Sequence, residues 1–229
     1  MENTDRLEQL SRAGDADAAC RLGRIYYEGA LLPQDYDRAR SLFECALESD
    51  PDHTEALDYL GYCHYYGRNI PVDDEKALAC FQKSAGLGDR IGLYKLGDMY
   101  RDGRAVVEDR IQAMRLYTLA LDCSEDDAPE LPGICLRISE LLLDRAQDYL
   151  DSDMEDVRRR TLALHAALNA SEILGCSETL CWRLLSSGDP YAHLSLPGLF
   201  RQLDRSRQIL GKLCPAANSD VTYTDPSDS

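Results

Sequence analysis

Apolar positions recur with a helical period through the first half of the chain. In the first segment four residues follow the i, i+3, i+4, i+7 spacing of one helix face, and they are Ala19, Leu22, Gly23 and Tyr26. A second stripe with the same character follows, formed by Ala39, Phe43, Ala46 and Leu47. The pattern predicts two amphipathic helices, one over about 17–28 and one over about 36–48.

This pair of apolar stripes occurs three times along the sequence. The phrases LGRIYYEG, LGYCHYYG and LGDMYRDG occupy 22–29, 60–67 and 96–103, at intervals of 38 and 36 residues. Ten residues after each closing glycine stands an alanine, and an aromatic residue follows four residues later. Such a period is typical of stacked helical repeats, each of which buries its apolar face against its neighbours. We therefore predict three units, at 14–50, 51–87 and 88–123.

Residues at fixed places in each unit predict where the helices begin, end and touch. Asp35, Asp73 and Asp109 are expected to cap the second helices, because a short carboxylate accepts free backbone N–H groups there. The closing glycines Gly29, Gly67 and Gly103 suit a positive φ just past a helix end. The glycines inside the first helices cost about 1 kcal/mol each relative to alanine. We expect them to allow close approach of the second helix, with Ala39, Ala77 and Ala113 as the matching small surface.

The regions that flank the three units have weaker patterns. Residues 1–13 resemble a second helix and are predicted to cap the array. After Cys123 a loop with two prolines spans 124–133, followed by helical patterns at 134–150, 154–175, 177–189 and 197–213. We interpret 124–214 as divergent helical repeats or a C-terminal helical cap. The polar, aperiodic segment 215–229 is predicted to be a disordered tail.

The three phrases with their alanine and aromatic positions resemble the Sel-one-like repeat, a relative of the tetratricopeptide repeat. The match is good over 14–123 and poor over 124–213. The resemblance implies an all-α fold, in which antiparallel helix pairs stack into a right-handed α-α superhelix. It also implies an adaptor that holds proteins together. A cysteine-rich branch of the family, some members of which are described as weak β-lactamases, has one disulfide per repeat. Cys45 and Cys80 lack the mates which that branch requires.

Charge and composition argue against some classes of partner and favour one cellular compartment. The net charge of −16 opposes binding to phosphate backbones, so no nucleic-acid partner is expected. No stretch approaches the ~20 apolar residues of a membrane span. The polar first segment and nine irregularly spaced cysteines favour a cytoplasmic protein with reduced thiols. The oligomeric state stays open.

Catalytic and cofactor-binding proteins often carry short recognisable motifs. This sequence has no C-x-x-C pair, no glycine-rich phosphate loop and no G-x-S-x-G elbow. The adjacent Cys63 and His64 point to different sides of a helix, which is poor geometry for one metal ion. His165 lies among apolar residues and is expected to be structural. We therefore expect no catalytic residue, no cofactor and no metal site, and no enzymatic activity.

The positions that differ between the units are the candidates for function. The side of each first helix that faces away from its own partner lies at −2, +2 and +5 from the phrase leucine, and would line a concave groove. These positions hold Cys20, Arg24, Tyr27, Asp58, Tyr62, Tyr65, Tyr94, Asp98 and Arg101. Tyrosine and arginine are enriched at interface hot spots. The alternative interpretation is that the tyrosines pack between units while the arginines pair with nearby carboxylates.

Three functional hypotheses follow. The first is a protein-interaction scaffold whose groove binds a peptide or partner protein, with tyrosine anchors and with Arg24 and Arg101 meeting carboxylates. The second is a hydrolase of the β-lactamase-like type, which rests on the family resemblance alone. The third is self-association through the irregular C-terminal helices. We favour the scaffold, because the groove positions carry the residues of an interface.

Overall fold

A computed structural model describes residues 4–29, 31–124, 128–153, 156–186 and 192–213, and these ranges contain helices and no strand. The chain divides into two compact units, Met1–Ser124 and Glu125–Ser229. The predicted all-α fold is confirmed. None of the helices in the described ranges is both long enough and apolar enough to cross a bilayer.

Seven helices lie in the described residues of the first unit, and each packs against the next along the chain. They are α1 (Thr4–Arg12), α2 (Ala16–Glu28), α3 (Tyr36–Ser49), α4 (Thr54–Tyr66), α5 (Asp74–Gly86), α6 (Arg90–Asp102) and α7 (Arg110–Asp122). Helix α1 contributes the buried Leu7 to the core that α2 and α3 build. Helices α2 and α3, α4 and α5, and α6 and α7 are the three predicted pairs.

The predicted caps are confirmed at each pair. The carboxylates of Asp35, Asp73 and Asp109 accept hydrogen bonds from backbone N–H groups in the first turns of α3, α5 and α7. The closing glycines have φ of 65–70°, a conformation that costs glycine nothing because it lacks a Cβ. The starts of α3, α5 and α7 and the ends of α2, α4 and α6 therefore follow from local sequence.

Close approach within each pair takes place between a glycine and an aromatic ring. A Cβ added to Gly61 would lie 2.6 Å from Cε1 of Phe81, and one added to Gly23 would lie 2.7 Å from Cε1 of Phe43. The third pair repeats the contact between Gly97 and Tyr117. All three rings are fully buried. The expected partners of these glycines, the alanines, are also buried, but the atoms nearest to the glycines belong to the rings.

The second unit contains three longer helices in its described residues, α8 (Leu131–Asp151), α9 (Asp156–Ser186) and α10 (Ala192–Leu213). Leu143, Leu174 and Leu199 bring the three helices to one apolar core. The predicted break between 175 and 177 is wrong, because α9 continues through Gly175. The predicted tail at 215–229 lies outside the described residues, as does the end of the 177–189 pattern.

Candidate functional site

A connected row of tyrosine rings crosses the first two repeats. It runs from Tyr36 to Tyr27 (5.3 Å between ring centroids), to Tyr59 (5.2 Å), to Tyr62 (5.9 Å) and on to Tyr66 (6.1 Å). Most of these contacts are edge-to-face, the arrangement that aromatic quadrupoles favour. With Tyr65, whose ring lies 4.8 Å from that of Tyr66, these six residues are called the tyrosine face.

Helix α4 organises the tyrosine face. Tyr59, Tyr62 and Tyr66 are spaced at i, i+3 and i+7, so they share one side of the helix. Tyr59 stacks on Phe43 at 5.1 Å with an interplanar angle of 12°. Its hydroxyl donates a hydrogen bond to Glu28 at 3.1 Å. The central ring of the row is thus fixed by contacts to both helices of the preceding repeat.

Part of each half-buried ring of the tyrosine face packs against neighbouring residues, and part of it reaches solvent. Tyr65 is 9% exposed and Tyr66 is 46% exposed, while Tyr27, Tyr36, Tyr59 and Tyr62 are half-buried. Burial raises the pKa of the Tyr27, Tyr59 and Tyr65 hydroxyls, so all three are neutral phenols near pH 7. Rigid, half-buried phenols are the side chains that anchor protein interfaces at low entropic cost.

A buried charge cluster lies beside this face, in the third repeat. Lys95 donates to Asp98 at 3.1 Å, and the Tyr117 hydroxyl donates to the same carboxylate at 2.8 Å. The Lys95 ammonium also lies 4.6 Å from the ring centroid of Tyr94 and 5.8 Å from that of Tyr62. Burial, the largest single effect, lowers the Lys95 pKa, but the Asp98 carboxylate and the phenols of Tyr94 and Tyr66 together raise it further, so the net shift is upward. The ammonium charge of Lys95 is therefore retained inside the fold.

The structure brings five of the predicted site residues together around Lys95. They are Tyr62, Tyr65, Tyr94, Asp98 and Arg101. Asp98 is only 2% exposed, and the Arg101 side chain is 20% exposed and bonded to Asp102 at 2.7 Å. Asp98 and Arg101 thus pair with each other and with neighbours inside the unit.

The remaining predicted residues lie nearer the first repeat. Tyr27 belongs to the tyrosine face, and Arg24 donates to Glu55 of the next repeat at 2.9 Å. Cys20 is fully buried and Asp58 is 2% exposed, so neither side chain lines an open surface. Arg24 and Arg101 both have intramolecular carboxylates, which the alternative interpretation of the sequence expected. A binding role for the predicted set stays a prediction.

Sequence reasoning missed several residues that the structure places at this surface. Tyr59 and Tyr66 extend the face, and their spacing from Tyr62 is a signal that a helical-wheel count would have detected. Lys95 directly precedes the third phrase and lies outside the −2, +2 and +5 positions that the sequence reasoning considered. Arg68 follows the closing glycine of the second phrase, at a position that holds Arg104 in the third unit, and this shared arginine is a signal that went unused. The Arg68 guanidinium lies 5.2 Å from the ring centroids of Tyr36 and Tyr66.

The His, Cys, Asp and Glu side chains of the described residues decide whether a metal site or a disulfide can form there. Within them no group of three His, Cys, Asp or Glu side chains is arranged to hold a metal ion. Six of the cysteines in the described part form no disulfide bond, namely Cys20, Cys45, Cys63, Cys80, Cys123 and Cys176. Burial raises the pKa of the Cys63 and Cys80 thiols to about 11. Thiols with such pKa values are poor nucleophiles near neutral pH.

Comparisons with known proteins place the first unit in a family. The Sel1 repeat model, which describes the Sel-one-like repeat, matches residues 16–51, 54–89 and 91–124. Alginate biosynthesis protein AlgK of Azotobacter vinelandii is 30% identical over 135 residues, which are 58% of this chain and 29% of that protein. The ERAD-associated E3 ubiquitin-protein ligase component HRD3B of Arabidopsis thaliana is 28% identical over 130 residues, 57% of this chain and 20% of that protein. The matches thus span less than a third of either relative.

A solved structure supports the fold independently. The crystal structure of a protective antigen from uropathogenic Escherichia coli strains, which displays an SLR fold, is similar over 93% of this chain and 56% of the antigen. The TM-score is 0.52 and the sequence identity 17%, so the likeness concerns the fold alone. Proteins with Sel1 repeats generally act in protein–protein interaction, and the family is one of non-catalytic scaffolds. Residues 16–124 of this chain thus contain three Sel1 repeats, which form three helix pairs.

Proposed function

We propose that this protein is an interaction scaffold that binds a peptide or partner protein on the tyrosine face. The observation that carries the proposal is the connected row of tyrosine rings, half-buried on one side and exposed at Tyr66. Aromatic residues held in fixed positions lose little entropy on binding and bury large areas. The general role of the family in protein interaction supports the same conclusion.

The exposure of each ring separates the proposed anchors from the residues that support them. Tyr65 supports the face from below, since its ring is 9% exposed and lies 3.6 Å from the Arg104 guanidinium. Tyr62 and Tyr66 reach the surface and are the better anchors. The buried Lys95–Asp98 pair holds the neighbouring repeat in place rather than meeting the partner. No observation on the described residues favours the hydrolase or self-association alternatives.

A cytoplasmic location is part of this proposal. The support for it is the set of free cysteines in the described residues, because thiols persist in the reducing cytosol. Imaging of the tagged full chain in its native cell tests the location, and a signal outside the cytosol would contradict it.

Affinity purification from the native cell, read by quantitative mass spectrometry, tests the binding surface. The Tyr62→Ala/Tyr66→Ala variant is expected to recover the specific partners at least about tenfold less than wild type, since two hot-spot anchors are removed. Tyr149→Ala is the matched control, because Tyr149 lies in the second unit, where its hydroxyl bonds to Arg145. Unchanged recovery by a double variant with wild-type circular dichroism would contradict the proposal.

A further inference from the structure

Two arginines occupy equivalent positions at successive repeat junctions. Arg68 follows Gly67 at the end of α4, and Arg104 follows Gly103 at the end of α6. Each backbone N–H bonds back to its own helix, to the carbonyl groups of Cys63 and Met99 respectively. The two side chains therefore start from the same place in the repeat and reach toward the preceding repeat.

The second junction shows what such an arginine binds. The Arg104 guanidinium covers the Tyr65 ring at 3.6 Å, and its Nε donates to Oδ1 of Asp74 at 2.9 Å. Its Nη2 donates to the same carboxylate and, at 2.8 Å, to the carbonyl oxygen of Tyr65. Arg104 therefore has both an aromatic ring beneath its guanidinium and a carboxylate at the edge of the guanidinium.

The first junction has the ring but lacks the carboxylate. Tyr27 stands where Tyr65 stands in the next repeat, five residues after the phrase leucine. The Arg68 guanidinium lies 6.0 Å from its centroid. Asp74 lies three residues before Ala77, and the residue three before Ala39 is Tyr36. A ring thus replaces the acid, and Arg68 lies 5.2 Å from its centroid.

The hydrogen-bonding capacity of Arg68 is incompletely used. Its Nε is buried without a hydrogen-bond partner, and no carboxylate in the described residues forms an ion pair with it. A hydrogen bond that the Arg68 guanidinium donates to the Tyr27 phenol oxygen raises the pKa of Arg68 most, burial opposes this, and the phenols of Tyr36 and Tyr66 add to the rise. An uncompensated guanidinium is unusual in a chain with net charge −16.

We propose that Arg68 binds a carboxylate of an acidic partner peptide, in the place that Asp74 fills at the next junction. The inference rests on the proposed function, because Tyr27, Tyr36 and Tyr66 of the tyrosine face surround the guanidinium. The planar fork of arginine matches a carboxylate with two parallel hydrogen bonds. Exposed Tyr66 offers an apolar contact to the residue that flanks the acid.

The surroundings of Arg68 and the net charge of the chain favour a peptide with few acidic groups over a polyanion. Three phenol rings flank the guanidinium. The described surroundings contain no second unpaired cation, since Arg24 and Lys95 have their own carboxylates. The overall charge of −16 repels a chain of phosphates. One carboxylate, carried by an Asp or Glu side chain among apolar neighbours, satisfies Arg68 without that repulsion.

The geometry can be tested without any partner. Tyr36→Asp places a carboxylate at the first position of α3, which corresponds to the position of Asp74 in α5 and suits an acidic residue. By NMR titration the introduced carboxyl is expected to have a pKa about one unit or more below that in the Tyr36→Asp/Arg68→Gln variant. Equal pKa values in the two variants would overturn the proposed receptor geometry.

Binding is tested on an array of nonapeptides, each with one Asp or Glu among apolar residues and each paired with its Asn or Gln twin. Wild-type full chain is expected to bind a subset of acidic members at least about tenfold more strongly than their twins. The preference should disappear in Arg68→Gln and in Tyr36→Asp, in which the new carboxylate occupies Arg68. It should persist in Arg115→Gln, which removes an exposed arginine of α7.

Two results on the array overturn the proposal: no acidic preference in wild type, or an acidic preference that both variants retain. Circular dichroism establishes that each variant is folded before it is scored. The native-cell purification with Tyr62→Ala/Tyr66→Ala does not depend on the charge of the ligand. Partner recovery that depends on Tyr62 and Tyr66, together with no acidic preference on the array, would leave the proposed scaffold function standing. Only the proposed role of Arg68 would then be wrong.

Discussion

Asp58 is a buried carboxyl group whose oxygens have no hydrogen-bond partner. It is 2% exposed on α4, in the middle of the first unit. Burial, aided by the charge of Asp89, raises its pKa from 3.8 to about 9. The group is therefore protonated near neutral pH in the folded protein, and ionised in the unfolded chain.

This difference makes stability depend on pH. Between about pH 4 and 9 the folded state binds the proton that the unfolded state has released, so the contribution of Asp58 to folding falls as pH rises. Asp58→Asn removes the ionisation and keeps the shape. We expect its free energy of unfolding to exceed that of wild type by a margin that grows with pH, to about 1–3 kcal/mol near pH 9.

Urea denaturation at pH 5, 7 and 9, followed by circular dichroism, measures this margin. Asp122→Asn is the control, because Asp122 is exposed at the end of α7 and its replacement should leave the pH dependence unchanged. A constant difference between Asp58→Asn and wild type at the three pH values would show that Asp58 is ionised alike in both states.

In each of the three helix pairs of the first unit, a glycine of the first helix faces an aromatic ring of the second. Gly61→Ala would gain about 1 kcal/mol of helix propensity. The added methyl would meet the fully buried Phe81 ring at 2.6 Å, and such overpacking costs about 1–3 kcal/mol. We expect net destabilisation, measured as a lower thermal midpoint, and partial recovery in Gly61→Ala/Phe81→Leu.

Gly86→Ala is the matched change, since the added methyl at Gly86 has no atom within 4 Å in the same unit. It should raise the thermal midpoint through propensity alone. If both alanines raised the midpoint equally, the glycine–ring contact would have no steric role.

The helices of the repeats could be predicted because their signals are local. Asp35 caps α3 and Gly29 ends α2 through hydrogen bonds within a few residues, so a short window of sequence contains the whole cause. Helix α9 could not be predicted in this way. It continues through Gly175, where packing of Leu174 in the core outweighs the weak helix propensity of glycine.

The same limit applies to the candidate site. The repeat register selected Tyr27 and Tyr62 from two different positions in their units, and their rings lie on one connected row through Tyr59. It could not tell that Cys20 and Asp98 are buried, since burial depends on the side chains that the next repeat supplies. Register therefore predicts which residues are neighbours, and packing decides which of them reach solvent.

At the scale of the whole molecule, the first unit should be an independent folding unit. Residues 1–124 form a compact body whose core and caps are built within that range. The fragment 1–124 is expected to show helical circular dichroism and one cooperative thermal transition, as a short repeat array does. A fragment with the spectrum of an unfolded chain would show that the repeats depend on residues 125–229.

The glycine–ring contacts lie inside each repeat, whereas the tyrosine face and the two junction arginines depend on pairs of repeats. Mutations can therefore change the residues at the repeat junctions without changing the glycine–ring contacts. A substitution at Tyr36 or Asp74 alters what a junction recognises while the Gly23–Phe43 and Gly61–Phe81 contacts keep the helices paired. Lineages that duplicate or exchange such repeats can acquire new ligands without having to evolve a new fold.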